Sequence, residues 1–238
     1  MRLALLTLVW FAPVAHADPD DYVATPAVEY GEREIELRLG TATASDANRH
    51  SAASLAFGYG VTPWWFTEIY GKWNRGDATR FDAFEWENRF QLTEPGQYFA
   101  DLGLLVEIER PRNRADGDEL RLGPLLQKDF GTMQANVNVL LERHYRSAAP
   151  EVTELGYQWQ LKYRWRPAFE FGAQGFGEVG QWNDWATGHE QQHVVGPAIF
   201  GKFNLGGRQA LKYDAALLFK ASGAAPARTL RAQLEYEF

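Results

Sequence analysis

No cysteine occurs in the 238 residues, so the chain carries no disulfide and no lipid-attachment thiol. Methionine occurs twice and histidine five times, without a His-rich tract, so the soft ligands of a copper-handling protein are missing. No Gly-rich phosphate-binding loop is present. Beyond residue 17 no segment approaches the ~20 continuous apolar residues that a helix needs to cross a bilayer. A mean hydropathy of -0.39 and 23% charged residues describe, by themselves, a polar protein.

What is present contradicts that average. Met1-Arg2 is a short basic start, Leu3 to Val14 an apolar stretch, and Ala15-His16-Ala17 fits a small-x-small cleavage site. The reading is a signal peptide over 1–17, cleaved after Ala17, with Asp18-Pro19-Asp20-Asp21 following where a membrane anchor could not continue. At the other end, Leu230, Ala232, Leu234, Tyr236 and Phe238 share one face of an expected strand, and Arg231, Gln233, Glu235 and Glu237 the other.

That alternation recurs. Twelve segments are expected as strands, at about 33–42, 53–61, 66–73, 81–92, 98–109, 119–127, 133–142, 154–165, 169–179, 193–203, 209–220 and 230–238. The fourth is the clearest, with Phe84, Trp86 and Phe90 against Glu85, Glu87, Arg89 and Gln91. In the sixth, Leu125 and Leu126 break the pattern. Alternate connections are short and marked by Gly or Pro (Thr62-Pro63, Pro95-Gly96, Gly131, Arg166-Pro167, Gly206-Gly207), and the others are mostly longer and more polar. Only alternate residues of such strands meet lipid, so averaged hydropathy hides a membrane surface. The fold class is therefore all-β: a transmembrane antiparallel up-and-down β-barrel of about 12 strands after an N-terminal signal peptide. Residues 18–31 are expected as a periplasmic tail, which could fold into the lumen as a plug or hang free, the solvated tail being the preferred reading, and 32–238 as the barrel, with aromatics near strand ends as interfacial girdles.

The expected inward face is strongly charged. Its candidate pore-lining residues are Glu36, Arg38, Glu68, Lys72, Glu85, Glu87, Arg89, Glu107, Arg121, Lys162, Arg164, Arg231 and Glu235. Opposite charges lining water orient and select solutes, and an acid excess favours cations or neutral polar molecules. The alternative is a lumen closed by its own ion pairs, without conductance. The small inner residues Ser54, Ala56, Gly58, Gly60, Gly103 and Gly123 leave local room.

Two patterns point to enzymes. His189-Glu190-Gln191-Gln192-His193 matches H-E-x-x-H, which binds zinc only when a helix places both His on one face. Gly188 before it and Val194-Val195-Gly196-Pro197 after it oppose a helix, and in an extended strand the two His stand ~13 Å apart. A rim hydrolase would need His144 with Glu142 and a Ser such as Ser51 or Ser147, and nothing in the spacing selects them. No catalytic residue, metal ligand or cofactor is assigned.

The closing strand resembles that of bacterial outer-membrane barrels, in which a terminal Phe with an aromatic two residues earlier is the signal read by the barrel-assembly machinery; Tyr236 and Phe238 stand at those positions. Gly58-Tyr59-Gly60-Val61-Thr62, the run Phe84 to Thr93 and Leu234 to Phe238 are similar to proteobacterial barrels associated with aromatic-compound (phenol) degradation and to the barrel of copper-resistance outer-membrane proteins. The resemblance implies a Gram-negative outer-membrane protein, and the charged inward face makes a narrow channel for small polar or cationic solutes the expectation. Outer-membrane lipid, the assembly machinery and a small solute are the expected partners, and nucleic acid is not.

Overall fold

In a computed structural model of the chain, which describes residues 18–76 and 78–238, the alternation resolves into strands. The expected signal peptide and the cleavage site at Ala17 lie outside the described residues. The long strands are β1 (Arg33–Thr43), β2 (Arg49–Thr62), β3 (Trp65–Arg75), β4 (Thr79–Gln91), β5 (Asp101–Pro111) and β6 (Asp118–Phe130). They continue as β7 (Met133–Tyr145), β8 (Thr153–Arg166), β9 (Phe169–Gln181), β10 (Gln192–Gly206), β11 (Gln209–Gly223) and β12 (Arg228–Glu237). A two-residue strand, Asp184–Trp185, folds back on the end of β9.

Each long strand pairs antiparallel with its sequence neighbours, and β12 closes on β1 from Glu34↔Glu237 to Thr43↔Arg228. Closure leaves no unpaired edge, which is the condition for strands to cross a bilayer whose interior offers no hydrogen bonds. Both ends of the sheet lie at one rim, with the connections 63–64, 92–100, 131–132, 167–168 and 207–208. The opposite rim carries 44–48, 112–117, 146–152, 182–191 and 224–227, together with the described residues Gly76 and Ala78 between β3 and β4.

Burial is inverted relative to a protein that folds in water. In β1, Ile35, Leu37 and Leu39 are exposed while Glu34, Glu36 and Arg38 are buried. The same holds for Phe57, Ile69, Phe84 and Trp86 against Ser54, Glu68, Glu85 and Glu87. An apolar belt of this extent has lipid as its solvent. Aromatics meet near the strand ends: Tyr236 stacks on Phe238 at 5.6 Å, and Trp73 meets Phe81 edge-on at 5.8 Å.

Three sequence expectations change. Strands run past the apolar band, because backbone pairing continues into the rim where side-chain contrast fades; β2 begins at Arg49, not Ala53. The fifth begins at Asp101, not Tyr98, since the Asp101 carboxylate accepts a hydrogen bond from Gly96 N at 2.6 Å and holds 92–100 as a turn. In β6 the alternation does not break at all: Leu125 points inward and is fully buried, and Leu126 lies on the outer face.

Candidate functional site: the lumen and the segment inside it

The inward side chains line up in rows set by the register. One row runs Glu68, Glu87, Glu107, Arg121, Glu142 across β3 to β7, each opposite the next. Above it, Tyr70, Glu85, Glu109 and Glu119 form a second. Like charges directly opposite are unfavourable, so cations must interpose. Arg89 reaches Glu34 at 3.5 Å, Glu68 at 3.4 Å and Glu87 at 3.3 Å. Lys72 reaches Glu85 at 3.2 Å and Glu109 at 2.6 Å; Arg121 reaches Glu107 at 3.3 Å and Glu142 at 3.0 Å. Arg38 pairs with Glu36 and donates a hydrogen bond to the Tyr70 hydroxyl. Arg231 meets Asp214 at 3.0 Å, and Lys212 meets Glu235 at 2.7 Å.

All thirteen residues expected to line the lumen stand on its inward face. Glu36, Arg38, Glu68, Glu85, Glu87, Glu107 and Arg231 are buried, and Lys72, Arg89, Arg121, Lys162, Arg164 and Glu235 are partly so. Arg164 sits at the rim of short turns, paired with Asp129 at 3.1 Å. Lys162 lies over the Phe200 ring, 4.5 Å from its centre.

The expected periplasmic tail is not solvated. Residues 18–30 run up the lumen from the rim of short turns into its far half, and Asp20, Tyr22, Val23, Ala24 and Pro26 are buried. Near the rim, Gly31 N donates to Gly60 O at 2.8 Å, and Val28 N donates to Gln91 Oε1 at 2.9 Å. Midway, Asn138 Nδ2 donates to Ala24 O at 3.0 Å, and the Tyr22 hydroxyl donates to the Glu87 carboxylate at 2.5 and 2.6 Å. The Arg38 guanidinium lies 3.4 Å over the Tyr22 ring. Deeper, Asp20 accepts from Ser54, Arg121 meets Asp21 at 3.6 Å, and Lys72 meets Asp18 at 3.1 Å.

Apolar lumen residues explain why the segment goes in. Leu105, Leu125 and Leu140 of β5, β6 and β7 pack on Tyr22 and Ala24. Phe176, Phe200 and Leu218 of β9, β10 and β11 pack on Val23. Extended backbone turns successive side chains to opposite sides, so Tyr22-Val23-Ala24 fills both walls at once. Burying each large apolar side chain is worth about 1.5–3 kcal/mol, a gain that a solvated tail forgoes. At Ser54, Gly60 and Gly103 the room expected from small inner residues is where the segment lies, whereas at Gly58 the Phe66, Glu68 and Glu34 side chains fill it and at Gly123 the neighbouring β7 backbone does. A Cβ on Gly40 would collide with the Pro19 backbone, and one on Gly60 with Glu29 O; one on Gly103 would come to 2.8 Å from Pro26 Cβ. The sequence does carry this signal, as large apolar residues at lumen positions of β5 to β7 and β9 to β11 together with an apolar triplet in an acidic leader.

Between the segment and the rim of short turns a cavity of about 450 Å³ remains, lined by Tyr22, Thr25, Glu36, Lys162, Phe200 and Asp214 among others. Toward the far rim the free spaces beside Asp18 and Asp21 shrink to about 30 and 40 Å³. The lumen is thus an open vestibule below and closed at the level of Asp20 to Ala24.

The H-E-x-x-H run forms no metal-binding face. Its first residues are a turn and Gln192 begins β10. His189 contacts Thr187 at 3.0 Å, whereas His193 contacts the Tyr157 hydroxyl at 2.8 Å and Gln191 at 2.9 Å. Glu190 accepts from the Thr187 hydroxyl at 2.6 Å. His144 faces Glu142 at 3.5 Å and Glu119 at 3.7 Å. Ser51 bonds to Thr41 at 3.0 Å and Ser147 donates to Ala149 O at 2.8 Å, so neither is engaged with that imidazole.

No protein-family model matches the chain, and no curated protein does. Solved structures do match. The NanC porin superposes with a TM-score of 0.56 at 11% identity, covering 86% of this chain and 98% of that one. An outer membrane channel from Pseudomonas putida F1 gives 0.56 at 14% identity, covering 93% and 99%. The translocator domain of the autotransporter NalP from Neisseria meningitidis gives 0.55 at 10% identity, covering 88% of each. The architecture is that of a bacterial outer-membrane β-barrel.

Proposed function

We propose that the protein is a narrow outer-membrane channel for small polar or cationic solutes, closed in this state by its own residues 18–30. The observation that carries the reading is the charged vestibule of about 450 Å³, which opens at the short-turn rim and ends against the tail. A lumen filled throughout by its own side chains would leave no such space. The carboxylate rows of β3 to β7 outnumber the cations between them, which favours cations over anions in the open lumen. The competing reading, a permanently filled structural barrel, draws on the two apolar clusters that hold the tail. The reading includes no enzymatic step.

The motif likeness to barrels of aromatic-compound degradation makes small organic solutes the first candidates within this class, and Phe200 in the vestibule wall suits a ring. A copper role would lack its soft ligands. Export by the segment 1–17 and reading of Tyr236 and Phe238 by the assembly machinery complete the proposal. Conductance of refolded 18–238 in a planar bilayer under a salt gradient tests it. Discrete steps with a cation-biased reversal potential, shifted by Glu85→Gln, are expected; a silent bilayer from protein shown folded by heat-modifiable gel migration would support the structural barrel instead.

A further inference from the structure

On the outer face, at the rim away from the short turns, the register builds a recess under a row of arginines. Arg228, Thr43 and Arg49 stand side by side across β12, β1 and β2. Below them come Leu230, Thr41, Ser51 and Arg75, with Arg75 on β3; below those come Ala232, Leu39, Ala53 and Trp73. The bulky Leu234, Leu37 and Leu55 close the bottom. Leu39 is therefore flanked on both sides by alanine, with Trp73 beyond, and the missing side-chain volume leaves an apolar groove of about 490 Å³ that Arg75 overhangs.

The charges above it are uncompensated. Arg49, Arg75 and Arg228 are exposed, and among the described residues none pairs with an acid. Elsewhere on this rim Arg143 pairs with Glu151 at 3.8 Å and Arg146 with Asp118 at 3.7 Å, whereas Arg80, Arg110 and Arg112 lack an acidic partner among the described residues but do not border an apolar recess. Free guanidiniums at a lipid boundary cost desolvation unless an anion meets them. Within the recess, Thr41 and Ser51 bond to each other at 3.0 Å and place two hydroxyl oxygens on the outer face beside the apolar groove.

We propose that this groove binds one molecule of lipid A, the phosphorylated glycolipid of the outer leaflet, with a phosphate on Arg49, Arg75 and Arg228 and an acyl chain along Leu39, Ala53 and Trp73. Planar guanidiniums grip phosphate in two-pronged fashion, the hydroxyl pair meets the sugar or acyl-ester oxygens, and the groove accepts the chain. The inference rests on the outer-membrane placement above, which puts this rim in the leaflet where that lipid resides; it is independent of whether the lumen conducts.

Native mass spectrometry of the refolded barrel in neutral detergent with lipid A tests it. One saturable adduct is expected. Arg49→Ala/Arg75→Ala/Arg228→Ala should weaken it tenfold or more, and Ala53→Trp, which fills the groove but keeps every arginine, should weaken it as well. Arg143→Ala/Arg146→Ala, on the same rim but distant, should leave it unchanged, with heat-modifiable migration confirming that each variant folds. Equal adduct levels in the triple and control variants would overturn the proposal, as would phosphatidylglycerol binding as well as lipid A, or inorganic phosphate displacing it. A variant that loses lipid A but still conducts separates this inference from the channel reading.

Discussion

Tyr22 condenses the behaviour of the lumen into one side chain. Its hydroxyl donates to Glu87 at 2.5 Å, its ring carries the Arg38 guanidinium, and its apolar edge packs on Leu105 and Leu125. A hydrogen bond to a charged group is worth about 1.5–3 kcal/mol, so Tyr22→Phe is expected to loosen the tail at least tenfold, read as faster cleavage of 18–30 by added protease while the barrel keeps its gel shift. Gly40→Val should act more strongly, because the new side chain takes the space of the Pro19 backbone. Unchanged protection in both variants would show that neither contact holds the tail.

Asp21 supplies a pH dependence. On the docked tail, burial pushes its carboxyl up from 3.8 to about 6, against the opposing pull of Arg121 and with a further push from Asp18. A raised carboxyl means that the docked form binds the proton better than the released one. Its contribution is therefore full below about pH 4 and is lost as the pH rises through about 6. Tail release should increase from about pH 4 to about pH 6 and level off above that, and Asp21→Asn should flatten that dependence; docking that tightens with rising pH would show that the Arg121 pairing dominates.

At the scale of elements, β5, β6 and β7 each place a leucine where a water-filled pore wants a polar group, and β9 to β11 do the same with Phe176, Phe200 and Leu218. Leu125→Ala should cost the docked tail about 2–5 kcal/mol, as for other buried leucines, seen as faster proteolysis of the tail at an unchanged barrel melting temperature. In an open lumen the same change would be nearly silent. The strands themselves are legible in the sequence because a period of two with opposite solvents on its two faces leaves little ambiguity: the apolar Phe84, Trp86 and the charged Glu85, Glu87 could face only one way. Strand ends such as Arg49 and Tyr145 are less legible, since both faces meet water at the rim and backbone pairing alone decides. Leu125 misleads because its lumen position is covered by a segment a hundred residues away, which local periodicity cannot register. The H-E-x-x-H match fails for the local reasons its flanks announce, with Gly188 before it and a strand from Gln192 after it.

For the whole molecule, closure of β12 on β1 makes a shell with lipid outside and a charged interior, and the chain fills part of that interior with its own leader. The charges facing inward were visible in the sequence; that they are divided between the wall and the tail was not, because Asp18, Asp20 and Asp21 read as a solvated leader and their partners Lys72, Ser54 and Arg121 lie on distant strands. An acidic segment seated among acid rows is held by few cations, which suits a closure that can be released. The absence of native cysteine allows a direct test: Asp20→Cys with Ser54→Cys, at the point where those two side chains touch, gives a tail that an oxidant locks and a reductant frees. Single-channel recording of this variant is the most direct measurement. The account predicts a silent bilayer when oxidised and cation-biased steps in the same membrane after reduction, whereas identical traces before and after reduction, conducting or silent, would contradict it.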